Sequence, residues 1–123
     1  KGFISGIDRI QIPCDEELND KVRAAAGAVE GLACHQGIIA TGDQFVGSKD
    51  KLNRLMEEFG AVACEMEGGS IGQVCYINKV PFTVVRAISD NANDDAHMDY
   101  PKFLKIAVKK SFELLTELMP LLA

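Results

Sequence analysis

One hundred and twenty-three residues, 47% of them hydrophobic and 25% charged, suit one ordinary globular domain and exclude a low-complexity or disordered chain. A net charge of -5 without any Lys/Arg run gives no basic field to hold a phosphate backbone, which argues against a nucleic-acid partner. No apolar run approaches the roughly 18 residues of a membrane span, and the opening KGFISGIDR lacks a signal-peptide core, so a cytoplasmic location is the default expectation.

Asp15 to about Val29 reads as an amphipathic helix, with Leu18, Val22, Ala25, Ala26 and Val29 at helical spacing, Asp15 as N-cap and Glu16 and Glu17 in the first turn. Gly37 to Thr41 reads as a short buried strand that ends at Gly42-Asp43. Leu52, Leu55, Met56 and Phe59 then mark a helix from about Ser48 to Phe59, stopped by Gly60. Ala61 to Cys64 is a second short strand, running out at Glu65-Met66-Glu67. A third helix follows to about Asn78, and its glycines Gly68, Gly69 and Gly72 suggest close packing against it, because each lowers helicity by up to about 1 kcal/mol. Phe82 to Ser89 is β-branched and almost continuously apolar, as in a central strand covered on both faces. The last helix runs from about Pro101 to Met119, with Leu104, Ala107, Val108, Ser111, Leu115 and Leu118 as its packing face and Lys109 and Lys110 off it. Cys14, Cys34, Cys64 and Cys75 show no CxxC pair and no histidine placed to complete a zinc site, which predicts reduced, mostly buried thiols and no metal.

Strands alternating with helices at this spacing predict an α/β fold: three layers, α/β/α, around a mostly parallel sheet. Three strands are few for such a sheet, and the chain starts at Lys1 without a methionine. The expectation is therefore the carboxy-terminal part of one domain, incomplete over residues 1–123.

Parallel sheets bind ligands beyond the carboxyl ends of their strands. Three polar clusters fall there: Thr41 to Phe45, Glu65 to Gly68 and Ser89 to Asn93. No phosphate-cradling glycine loop is present. What the strand ends supply is carboxylates, each with a plainer explanation. Asp43 and Asp90 can serve turns, and Glu67 can sit in the first turn of a helix. His35 and His97 join no Ser/His/Asp or Cys/His arrangement.

Taken together, ATGDQFV (Ala40 to Val46), ACEMEGGSIGQVC (Ala63 to Cys75) and VPFTVVRAISDNAN (Val80 to Asn93) closely resemble the second half of methylthioadenosine/S-adenosylhomocysteine nucleosidases, within the larger nucleoside phosphorylase family. The similarity extends from about Leu18 onward. It implies hydrolysis of an N-glycosidic bond, releasing adenine from a thio-ribose, without a cofactor. By resemblance, main-chain groups of Phe45 and Val46 hold the purine, with the Phe45 ring against it. Met66 packs on the sugar, Glu67 accepts from its 2'- and 3'-hydroxyls, and Glu65 supports near the same hydroxyls. Asp90 is implied as the general acid that protonates N7 of the base, a role that needs a proton on its carboxyl near neutral pH. Ser89 would orient Asp90, Arg86 would face the catalytic water or a carboxylate there, and Ala92 and Tyr100 would line the substrate pocket. Phe is common in the family where Tyr100 stands, a small departure.

The family's water-activating glutamate and its Ser-Ala-Gly-type ribose loop belong to its amino-terminal half and are not found in these residues, so the chain is expected to be inactive alone. The resemblance also implies a homodimer. A purine nucleoside phosphorylase, a nucleosidase acting on aminodeoxyfutalosine or 5'-deoxyadenosine, and a non-catalytic nucleoside-binding module are the competing readings.

Overall fold

In the computed structural model, which describes residues 1–88 and 100–123, the elements follow the order α1 (Glu16–Ala28), β1 (Ile38–Thr41), α2 (Lys49–Phe59), β2 (Ala61–Glu65), α3 (Gly68–Ile77) and α4 (Tyr100–Leu122). Local chemistry sets their ends. The Asp15 side chain accepts the Leu18 amide at 2.9 Å, with Glu16 and Glu17 beside the positive end of α1. Ser48 accepts the Lys51 amide at 3.4 Å to open α2. Gly60, at φ 65°, closes that helix in the left-handed conformation and donates to Met56 O at 2.9 Å.

β1 and β2 pair in parallel, with Ile39 opposite Ala63, Ala40 opposite Cys64 and Thr41 opposite Glu65. A parallel pair needs a crossover, and α2 supplies it, packing against both strands through the half-buried Leu52, Leu55 and Phe59. α3 packs against β1. Its glycines permit the close approach expected of them: a Cβ would lie 2.8 Å from Thr41 Cβ at Gly69 and 2.9 Å from Phe82 Cε2 at Gly72. A separate core joins α1 to α4, where Val22, Ala25 and Ala26 meet Leu114 and Leu118, flanked by Leu32.

Three expectations need correction. Residues 82–88 form no strand: they join neither β1 nor β2, and Val85 and Ile88 are 48% and 57% exposed. Apolarity suits a segment for burial between layers, but it cannot create neighbouring strands. This one is held by Phe82 O, which accepts from Asp15 N at 2.8 Å, and by Thr83, which donates to Asn19 at 2.6 Å. Second, the covered side of α4 carries Phe103, Ala107, Lys110, Leu114 and Leu118, while Leu104, Val108 and Leu115 are 46%, 60% and 52% exposed. α4 has two apolar stripes, and the small side chains of α1 take the one from which Lys110 can reach Glu30 O and Glu113. Third, the thiols form no disulfide and are not deeply buried: Cys34 is exposed, and Cys14, Cys64 and Cys75 are half-buried. Among the described residues no helix is long and apolar enough to cross a membrane.

The two stripes of α4 make separable predictions for this chain. Leu118→Ala should lower unfolding free energy by about 2–4 kcal/mol through transfer and cavity terms, whereas Leu115→Ala should change it by about 0.5 kcal/mol or less. Urea unfolding of the two variants checks this, and equal losses would return Leu115 to the packed face.

Candidate functional site

Parallel pairing brings the carboxyl ends of β1 and β2 side by side. Thr41 and Glu65 are register partners there, and Gly42 N donates to Glu65 O at 3.2 Å, just past the ladder. The Thr41 hydroxyl donates to Glu65 Oε1 and accepts the Gly69 amide at 2.8 Å. Glu65 Oε2 accepts the amides of Glu67 at 2.9 Å and Gly68 at 2.6 Å. The first turn of α3 is thus capped by a carboxylate and a hydroxyl supplied by the strands before it.

Arg86 closes the cluster. Its Nη2 donates to Glu67 Oε2 at 2.8 Å and stands 3.5 Å from Glu65 Oε2. The two carboxylates differ sharply in environment: the Glu65 side chain is 4% exposed and that of Glu67 is 63% exposed. Burial alone would raise the Glu65 pKa. The Thr41 hydroxyl, the amides of Gly68 and Glu67 and the Arg86 charge outweigh that and hold it below the ordinary value of 4.5.

Of the residues singled out from the sequence, the structure brings Glu65, Glu67 and Arg86 together, with the exposed Met66 between the two glutamates. Arg86 therefore faces both carboxylates. Phe45 and Val46 follow the end of β1 in the loop to α2. Phe45 is 76% exposed, its ring lying over Gly47, and Val46 is half-buried. Ser89, Asp90 and Ala92 lie outside the described residues, as does the side chain of Tyr100. Two grooves of the described surface, about 830 and 710 Å³, lie elsewhere, beside Phe59 and beside Tyr76. Glu65, Glu67 and Arg86 line neither. The sequence places Thr41 in the first polar cluster but gives it no role, because only the strand register sets its hydroxyl opposite Glu65.

Among the described residues, a two-stranded parallel unit with an α crossover and carboxylates at its strand tips defines an α/β protein. The chain belongs to the phosphorylase superfamily, whose model matches residues 7–120. A 5'-methylthioadenosine/S-adenosylhomocysteine nucleosidase from Mycobacterium bovis is 33% identical, over 98% of this chain and 52% of that protein. An aminodeoxyfutalosine nucleosidase from Helicobacter pylori is 39% identical, over 96% of this chain and 50% of that protein. The crystal structure of the 5'-methylthioadenosine/S-adenosylhomocysteine nucleosidase from Neisseria meningitidis in complex with methylthio-immucillin-A superposes with a TM-score of 0.81 at 32% identity, over 94% of this chain and 51% of that one. The chain spans about half the length of the curated relatives it matches.

The depressed Glu65 pKa carries a signed prediction. Because the folded value lies below the unfolded one, the stabilisation is complete above about pH 4.5 and is lost as pH falls through the folded value. Glu65→Gln should cost about 1–3 kcal/mol at pH 7, by weakening bonds to a buried charge. The gap to the parent chain should shrink as urea unfolding is repeated below pH 4.5, and a gap independent of pH would show that the charge does not contribute.

Proposed function

We propose that this chain forms the ribose- and base-recognising part of a nucleosidase that hydrolyses the N-glycosidic bond of an adenosine thioether, 5'-methylthioadenosine or S-adenosylhomocysteine, releasing adenine. The observation that carries the reading is the exposed Glu67 carboxylate at the tip of β2, held by Arg86, in a chain that aligns over 98% of its length with a nucleosidase. An ionised carboxylate has two oxygens for a vicinal diol, and each charge-assisted bond contributes about 1.5–3 kcal/mol. Met66, exposed beside Glu67, offers the apolar contact for the sugar. Phe45 and Val46, after the other strand tip, take the base, the ring of Phe45 being free to stack. Asp90 is the proposed general acid at N7, with Ser89 orienting it and with Ala92 and Tyr100 lining the substrate pocket, all by resemblance. Protonation there lets the purine leave as a neutral base, and a positioned acid contributes about 10²–10⁴ in rate.

Water activation in this reading needs a base outside these 123 residues, so the chain is one part of a single catalytic domain, working in the cytoplasm as a homodimer. The similarity to an aminodeoxyfutalosine nucleosidase favours a second reading, in which the same Glu67 and Asp90 serve a different 5' substituent.

Adenine release from methylthioadenosine, S-adenosylhomocysteine and aminodeoxyfutalosine, assayed with and without phosphate, tests these readings. Turnover by the full-length protein should not depend on phosphate, and phosphate dependence would make it a phosphorylase. Asp90→Asn should lower kcat at least about tenfold with a smaller change in KM, and normal kcat would remove Asp90 from the mechanism. The 123-residue chain alone should release no adenine, and robust turnover would overturn its dependence on an outside base.

A further inference from the structure

We propose that Glu65 is a positioning residue: it locks the ends of β1 and β2, the first turn of α3 and Arg86 into one corner that presents Glu67, and does not itself touch the sugar. The inference rests on the nucleosidase reading, in which Glu67 grips the ribose hydroxyls, and replaces the expectation that Glu65 lies at the same hydroxyls.

A carboxylate offers about four lone-pair directions on two oxygens. Glu65 Oε1 takes the Thr41 hydroxyl, and Oε2 takes two amides and faces the Arg86 guanidinium at 3.5 Å. One direction on Oε1 is left, but with the side chain 4% exposed little of either oxygen faces a ligand.

α3 begins differently from the two helices before it. In α1 and α2 the residue just before the helix caps it with its own side chain, Asp15 in one and Ser48 in the other. Glu67 occupies that position in α3 and makes no side-chain cap bond. Glu65 and Thr41 satisfy the amides of Glu67, Gly68 and Gly69 instead, and an anion there also suits the helix dipole. Capping by Glu65 leaves the Glu67 carboxylate free for other work. Arg86 reaches both carboxylates and so can keep Glu65 as a partner while Glu67 turns to a diol.

The test combines kinetics with amide exchange. In the full-length protein acting on methylthioadenosine, Glu67→Gln should raise KM about tenfold or more, and Glu65→Ala should do so comparably. Glu65→Gln, which can still accept the two amides, should raise it less. Introduced into the Glu67→Gln background, either Glu65 change should add less than about twofold, since Glu65 acts through Glu67. In the same full-length protein, Glu65→Ala should speed hydrogen exchange at the Gly68 and Gly69 amides about tenfold or more, with partial protection restored in Glu65→Gln and none lost in α1. Additive KM effects would overturn the proposal in favour of direct sugar contact. Unchanged KM with a lowered melting temperature would reduce Glu65 to a structural role, and unchanged exchange would show that it does not hold the turn. Should Glu67→Gln leave KM unaltered, the ribose-binding reading of Glu67 fails, and the exchange data still decide whether Glu65 secures the corner.

Discussion

The pairing of Thr41 with Glu65 across two short parallel strands is the constraint on which the described site depends. A glutamate at a strand tip is an expensive group to bury, because its charge must be met by donors that are fixed in place. Here the donors come from the elements whose relative placement the site requires: a hydroxyl from β1, two amides from the start of α3 and a guanidinium from the segment after α3. The buried charge and the local fold therefore stand or fall together. Glu67, two residues along the chain, is solvent-exposed and has Arg86 as its ionic partner, so two residues separate a carboxylate used for architecture from the one proposed to meet a ligand.

Most of the element order was legible because it is written locally. Asp15, Ser48 and Gly60 act as caps in the structure just as their residue types suggest, and the period of Val22, Ala25, Ala26 and Val29 identifies the buried side of α1. What sequence could not supply was partner choice. α4 offers two apolar stripes, and nothing within the helix says which one α1 covers. Residues 82–88 have the composition of a central strand, yet a strand exists only through a neighbour's ladder. The same limit applied at the site. Glu65, Glu67 and Arg86 were recognisable as a group from the strings that carry the family resemblance, but the difference between the two glutamates was not. It arises from which oxygens face Thr41 and the α3 amides, a matter of register and not of residue type.

The packing is unevenly distributed. α1 and α4 share a small core in which two of the five buried side chains are alanines, and α2 has no buried residue at all. Meanwhile Ile71, Val74 and Ile77 of α3 and Val108, Phe112 and Met119 of α4 are each more than half exposed. Exposed apolar area in helical stripes contributes nothing to stability while it faces water. The proposed activity calls for residues beyond those present, and these stripes are where the described residues have apolar surface left to bury.

Loop position explains how the residues proposed for base and sugar can come from different parts of a short chain. Phe45 and Val46 follow β1, Met66 and Glu67 follow β2, and Arg86 lies beyond α3, so each group is delivered from a separate connection at the carboxyl edge of the sheet. Connections of this kind can vary in length and side chain without disturbing the strands that aim them. The sheet edge, in contrast, tolerates little change, because moving Thr41 or Glu65 by one register step would turn its side chain to the opposite face and separate hydroxyl from carboxylate. In the proposed reading, therefore, the register of Thr41 and Glu65 is the fixed part of the site, and the loop residues Phe45 and Val46 are the part that can change without disturbing it.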